Sequence, residues 1–255
     1  MIELQGVSRR YGSLRVVDQV SFRVEQGETL VLLGESGSGK TTTCKLVNRL
    51  IELDEGHIRV AGEDIRMQPP HLLRRRIGYV FQRLGLFPHM TVAENIAITP
   101  RLLGWEERRI QTRIETLLQL VELDPAQLAG RRPQELSGGQ AQRVAVARAL
   151  AAEPPVMLLD EPFGALDPLT RDKLQQAFLR IRQRLQLTSI FVTHDVLEAA
   201  VLGDRIGVMK AGRLLQVGSL AELLRAPADP YVTDLLSVPL RQAAQLGMHR
   251  AEVGS

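Results

Sequence analysis

Residues 2–4, 15–20 and 21–24 alternate apolar and polar positions and close on the turn Gln26-Gly27-Glu28. A period of two fits strands with one buried face, and their short spacing predicts antiparallel pairing. The run Thr29-Leu30-Val31-Leu32-Leu33 is apolar on both faces, as a central strand of a parallel sheet must be. A helix is predicted over 40–50 and a strand over 57–60, closed by Ala61-Gly62. Pro69-Pro70 then precedes a short basic helix, and 77–81 reads as a further strand.

Between about 91 and 152 the period becomes helical; within it Ile110, Ile114, Leu117, Leu118 and Val121 fall on one face. Pro154-Pro155 stops the next helix. Strand and helix then alternate over 156–159, 169–185, 189–192, 196–202 and 205–209, which implies a parallel sheet covered by helices. The expected fold class is α/β, with a parallel-sheet core, an N-terminal antiparallel β subdomain and an inserted helical subdomain over about 91–152. From about 237 the chain is polar and ends in Gly-Ser, which predicts a flexible tail over 237–255 after a domain of residues 1–236.

Composition adds exclusions. With 255 residues, 44% hydrophobic and 24% charged, the chain can bury a sizeable core. Aromatics make up only 4%, too few for interleaved aromatic and basic surfaces that take single-stranded nucleic acid. The formal charge is +3, and arginines such as Arg74-Arg75-Arg76 and Arg108-Arg109 are spread as on solvated helix faces, so no nucleic-acid partner is expected. The single cysteine, Cys44, excludes an internal disulfide, fits a reducing compartment and is expected to pack in the core. No apolar run approaches a membrane span and the N-terminus lacks a signal peptide's apolar core, so any membrane role is expected to come through a partner.

The chemistry begins where the apolar strand ends. Gly34-Glu35-Ser36-Gly37-Ser38-Gly39-Lys40-Thr41, followed by Thr42, fits the phosphate-cradling pattern G-x-x-x-x-G-K-[ST]. It lies between a predicted strand and a predicted helix, where unpaired backbone N–H groups and the helix dipole favour an anion. Lys40 offers a point charge for the β- and γ-phosphates, and Thr41 a hydroxyl for Mg²⁺. A second strand, Val156-Met157-Leu158-Leu159, ends in Asp160-Glu161. A carboxylate there can hold Mg²⁺, and its neighbour can take a proton from water. Leu136-Ser137-Gly138-Gly139-Gln140 then opens a long helix: Ser137 is a good N-cap, and Gly138 and Gly139 expose backbone N–H groups. This is a second anion cradle, and both cradles can serve one nucleotide if two chains pack head to tail.

At this point the chain resembles the ATP-hydrolysing subunit of ABC transporters over about residues 1–235. Leu136 to Gln140 matches that family's signature, Gly34 to Thr41 its phosphate loop, with Thr42 as an adjoining binding residue, and 156–161 its magnesium strand with catalytic Glu161. The resemblance implies further roles: Tyr11 stacks on adenine, Gln82 reaches Mg²⁺ and the attacking water, and His194 contacts the γ-phosphate. It implies that Ala165-Leu166-Asp167 crosses to the partner subunit, with Asp167 at its nucleotide. ATP and Mg²⁺ are the implied cofactors. The implied partners are a second copy of the chain, transmembrane permease subunits and an extracytoplasmic substrate-binding protein. The implied location is the cytoplasmic face of the inner membrane, bound through the permease.

The segment from Gly85 to Ile96 looks like the surface that bacterial importers press against a coupling helix of the channel. With Arg101 to Trp105, Lys45 to Ile51 and Leu202 to Ile206, it resembles the osmoprotectant branch, which imports glycine betaine, carnitine or choline. The alternatives are import of another small solute, such as an amino acid, or a soluble non-transport ATPase. Arg83 departs from the second glutamine expected after Gln82. Many branch members carry a paired regulatory module after the ATPase, for which 255 residues leave no room.

Overall fold

The N-terminal alternation builds β1 (Ile2–Tyr11) and β2 (Leu14–Val24), an antiparallel hairpin. Both are longer than the sequence pattern predicts. Register shifts between Leu4 and Val7, Val7 and Arg9, and Arg9 and Arg10 break the period that marks a strand. The structure is a computed structural model and describes residues 1–164 and 166–253, with side chains for 1–164, 166–242 and 245.

β3 (Thr29–Leu33) follows, buried at every position, and α1 (Lys40–Val47) starts directly after the phosphate loop. β4 (Glu55–Val60) returns to β1 and β5 (Glu63–Asp64) extends that edge, closing an antiparallel sheet in the order β2-β1-β4-β5. α2 (Pro70–Arg75) leads into β6 (Ile77–Val80). Helices occupy the next stretch: α3 (Val92–Leu102), α4 (Glu107–Leu120), the short α5 (Pro125–Leu128) and α6 (Gly138–Leu150). On α4 the residues Ile110, Ile114, Leu117 and Leu118 are all buried, each contributing about 1.5–3 kcal/mol by leaving water.

β7 (Val156–Asp160), α7 (Pro168–Leu185), β8 (Thr188–Thr193), α8 (Val196–Leu202) and β9 (Arg205–Lys210) complete the alternation. The second sheet has the order β10-β9-β3-β8-β7-β6, where β10 (Arg213–Gly218) is an edge strand antiparallel to β9 and the other pairs are parallel. α9 (Leu220–Arg225) and α10 (Pro230–Val253) end the described chain. Where a flexible tail was expected from 237, α10 runs across that boundary; Gly254 and Ser255 lie outside the described residues.

Alternate residues of β3 feed two cores. Leu30 and Leu32 pack with the antiparallel sheet, Cys44 and Leu46, whereas Val31 and Leu33 pack with the helices. Register fixes what lies above the sheet. Leu33 pairs with Thr193, Val80 with Leu159 and Asp160 with Val192. The loops after β3, β6, β7 and β8 therefore open at one end of the sheet, where ligands of parallel α/β folds bind.

Candidate nucleotide site

The phosphate loop closes tightly against its neighbours. A Cβ on Gly34 would lie 2.2 Å from the Met209 carbonyl oxygen, and one on Gly39, at φ +103°, 2.7 Å from that of Val16. Lys40 is buried, and its Nζ donates to the carbonyl oxygens of Gly34 and Glu35 at 2.7 Å each. Burial pulls its pKa down, against the opposing pull of Glu161, Asp160 and Glu35. Thr41 Oγ1 donates to Asp160 Oδ1 at 2.7 Å. Burial raises the Asp160 carboxyl, and the Tyr79 hydroxyl donates to its other oxygen at 3.5 Å.

Glu161 leaves β7 in the left-handed region, at φ +45°, with its N–H held by the Val192 carbonyl oxygen at 3.0 Å. Such a backbone is rare outside glycine and persists only where surrounding contacts hold it. Gln82 Nε2 donates to Glu161 Oε2 at 3.1 Å, and His194 Nδ1 lies 3.4 Å from Oε1. Two adjoining cavities gather this set. One, about 150 Å³, is lined by Val16, Ser36 to Thr42, Gln82 and Glu161. The other, about 420 Å³, is lined by Gly34, Glu35, Ser36, Gln82, Glu161, His194 and Leu235.

Three sequence-derived elements lie apart from those cavities. Tyr11 stands half exposed at the β1–β2 hairpin, with the Arg9 guanidinium 5.0 Å from its ring centre. Ser137 caps α6: its Oγ accepts from the Gln140 N–H at 3.3 Å, and Gln140 Oε1 accepts from the Ser137 N–H at 2.9 Å. Asp167 caps α7 by accepting from the Thr170 N–H at 3.0 Å. None of Tyr11, Ser137, Gly138, Gly139, Gln140 and Asp167 lines either cavity. Ala165 lies outside the described residues.

The segment from Gly85 to Ile96 borders a groove of about 270 Å³ whose walls include Leu50, Arg74, Phe81, Phe87, Ile98 and Arg148. Sequence reasoning missed its fasteners. Buried Asn95 accepts from the Phe87 N–H at 2.8 Å and donates to the Phe87, Met90 and Thr91 carbonyl oxygens. Arg148 donates to the Leu84 and Gly85 carbonyl oxygens at 2.7 and 2.6 Å. Asn95 was detectable as the polar member of an otherwise apolar α3 face. Also unforeseen, Tyr231 of α10 accepts from the Glu35 N–H at 3.3 Å, a contact spanning 196 positions.

The oxygens of Thr41 and Asp160, with the Gln82 amide close to Glu161, form a hard donor set of the kind Mg²⁺ takes together with phosphates. Among the described residues no cluster of three His, Cys, Asp or Glu makes a self-contained cage. Among the same residues no helix is long and apolar enough to cross a membrane.

Fold and site together define a phosphate-loop nucleotide-binding domain. Residues 17–164 match the family model described as ABC transporter, and the chain belongs to that family. It is 50% identical over 237 residues to the choline transport ATP-binding protein OpuBA of Bacillus subtilis, covering 92% of this chain and 62% of that protein. Identity to the glycine betaine uptake system ATP-binding protein YehX of Escherichia coli is 49% over 232 residues, covering 91% of this chain and 75% of that protein. The dimeric structure of MJ0796, a bacterial ABC transporter cassette, superposes with a TM-score of 0.79 at 32% identity, over 86% of this chain and 99% of that one. The chain thus spans less than two thirds of the length of OpuBA.

Proposed function

We propose that this chain is the ATP-hydrolysing subunit of an importer for osmoprotectants such as glycine betaine, carnitine or choline, working as a homodimer. The observation that carries this reading is the placement of Glu161 between Gln82 and His194 beside the Lys40 loop, with Ser137 outside that pocket. A pocket complete but for its second anion cradle calls for that cradle from another chain. The head-to-tail pairing puts Gly34 to Thr42 of one protomer opposite Ser137 to Gln140 of its partner, with Asp167 near the boundary and Tyr11 under the adenine.

Within that pairing Lys40 and the loop N–H groups neutralise and orient the β- and γ-phosphates. Thr41, Asp160 and Gln82 are the residues that would hold Mg²⁺, which when bound spreads the charge on the phosphate oxygens. Glu161 accepts the proton of the attacking water, and Gln82 and His194 fix its carboxylate toward that water. Positioning and charge neutralisation carry most of the rate in phosphoryl transfer.

The groove beside Phe87 takes a coupling segment of a separate permease, which would hold the chain at the cytoplasmic face of the membrane. A substrate-binding protein outside the cell completes the proposed system. Support for the quaternary-amine cargo comes from relatives at about half identity named for choline and glycine betaine transport. Co-expression with a candidate channel and binding protein of this importer class, followed by labelled glycine betaine uptake, tests the cargo. Uptake of an amino acid instead would favour the other importer reading.

Glu161→Gln tests the site. The variant is expected to bind ATP as wild type does, to lose on the order of 10²–10⁴ in turnover, and to accumulate as a closed dimer. Hydrolysis near the wild-type rate would overturn Glu161 as the base.

A further inference from the structure

Two side chains on α7, one helical turn apart, reach the start of α8. Arg171 Nη1 lies 3.6 Å from Asp195 Oδ2, and Gln175 Nε2 donates to Glu198 Oε1 at 3.0 Å. Asp195 directly follows His194 and caps α8, its Oδ1 accepting from the N–H groups of Leu197 and Glu198. Arg171 also donates from Nη2 to the Leu166 carbonyl oxygen at 3.2 Å. One guanidinium thus holds the loop before α7 and the residue after His194 together.

The chemistry of these contacts is unusual for a mere surface joint. Glu198 is 6% exposed, and its buried carboxyl rests on hydrogen bonds from Thr193 and Gln175 with the Arg171 charge near by. Arg171 Nε is buried without an acceptor. Burying such groups carries a free-energy penalty that only hydrogen bonds or ion pairing offset, so the Gln175 contact to Glu198 matters more than it would on the surface. In the first turn of the same helix Leu169 is 66% exposed, two positions from Asp167. α7 therefore opens on an exposed leucine beside Asp167 and carries a polar ladder onto the start of α8.

We propose that Arg171 and Gln175 are positioning residues for His194. Through the rungs Arg171–Asp195 and Gln175–Glu198, seating of the 166–167 loop on a second copy of the chain sets the place of His194 against Glu161. Hydrolysis then depends on engagement of the partner, not on nucleotide binding alone. This rests on the two-chain reading above and adds to it the route within one chain.

The test uses the purified full chain with ATP and Mg²⁺, comparing wild type, Arg171→Ala, Gln175→Glu and the exchange Gln175→Glu with Glu198→Gln. For the two single variants, KM for ATP and ATP-induced dimerisation should stay near wild type. Their kcat should fall about tenfold, and the Hill coefficient should drop to one. The exchange restores one donor and one acceptor across the rung, and should recover both kcat and the Hill coefficient. Unchanged kcat in the single variants would overturn the ladder, as would a loss that follows a lowered Tm while cooperativity persists. A wild-type chain that hydrolyses ATP as a monomer without cooperativity would overturn the two-chain reading and the ladder together. Cooperative wild type with a cooperative Arg171→Ala would overturn the ladder alone.

Discussion

Thr41 Oγ1 donates to Asp160 Oδ1 at 2.7 Å, joining side chains 119 positions apart. β3 and β7 are not neighbours in the sheet; β8 lies between them. The contact therefore depends on the whole central register, which holds the two oxygens side by side. Preorganisation of this kind removes an ordering step from binding.

Lys40→Ala should fail at nucleotide binding, before the chemical step. Its ammonium is the fixed positive charge inside the loop, held by the carbonyl oxygens of Gly34 and Glu35. Charge-assisted contacts of this kind contribute about 1.5–3 kcal/mol, so ATP affinity should drop on the order of tenfold or more. Titration with a fluorescent ATP analogue reads this directly. An affinity equal to wild type would refute the placement of phosphate at this loop.

Ser137→Arg separates the two cradles. The substitution sets a bulky cation at the N-terminus of α6, against the dipole and in the space proposed for a partner's phosphate. ATP binding by the monomer should survive, while ATP-induced dimerisation is lost. Mixing Ser137→Arg chains with Lys40→Ala chains concentrates both defects in one site and leaves the other intact, so closure, seen by size exclusion with ATP, should return in part. Normal dimerisation and hydrolysis by Ser137→Arg alone would leave Ser137 as a helix cap only.

Cys44 is buried within α1, and burial pushes its thiol pKa well up. The folded chain should resist modification by a thiolate-seeking reagent at pH 8, and label promptly once unfolded in guanidinium. Stoichiometric labelling of the native chain on a timescale of minutes would contradict the packing around α1.

Glu198 predicts a pH-dependent stability. Burial raises its carboxyl pKa, so the folded state prefers the protonated form. Below the ordinary glutamate value both folded and unfolded states hold the proton and no penalty exists. As pH rises through that value the unfolded state ionises first, and the folded state loses stability until its own raised pKa is passed. Glu198→Gln has no such loss. Its Tm advantage should grow from pH 4 to pH 8, by about 2–4 °C for each kcal/mol relieved. Melting curves across that range check the sign; a constant offset would remove ionisation of Glu198 as the cause.

Much of the site was legible because its parts are local. The strand before Gly34, the glycines, the acidic strand end at Asp160 and the Ser137 cap each declare themselves within a few residues. The meeting in space of the glycine loop and the Asp160 strand end followed from strand alternation, which the parallel register of β3, β8 and β7 bears out; Ser137 lies apart from them. Long-range polar contacts were not legible: nothing near Tyr231 announces Glu35, and nothing near Arg148 announces Gly85. β10 escaped notice because its positions are mostly half-buried, as on an edge strand, and lack clean alternation. The part of α10 beyond 237 was read as tail because Pro239 and polar residues mask the helical period.

α6 begins at the Ser137 cap and carries Arg148 in its last turn, where the guanidinium grips Leu84 and Gly85. Its 13 residues span about 20 Å at 1.5 Å per residue. A helix of that length is a stiff rod, so its ends cannot move independently. In the proposed dimer, a shift of the Ser137 end would appear at the groove beside Phe87 as tilt or translation, with no relay of side chains in between. Shortening α6 by one turn would change the lever arm by about 5 Å, leaving both terminal contacts chemically intact and mechanically out of step.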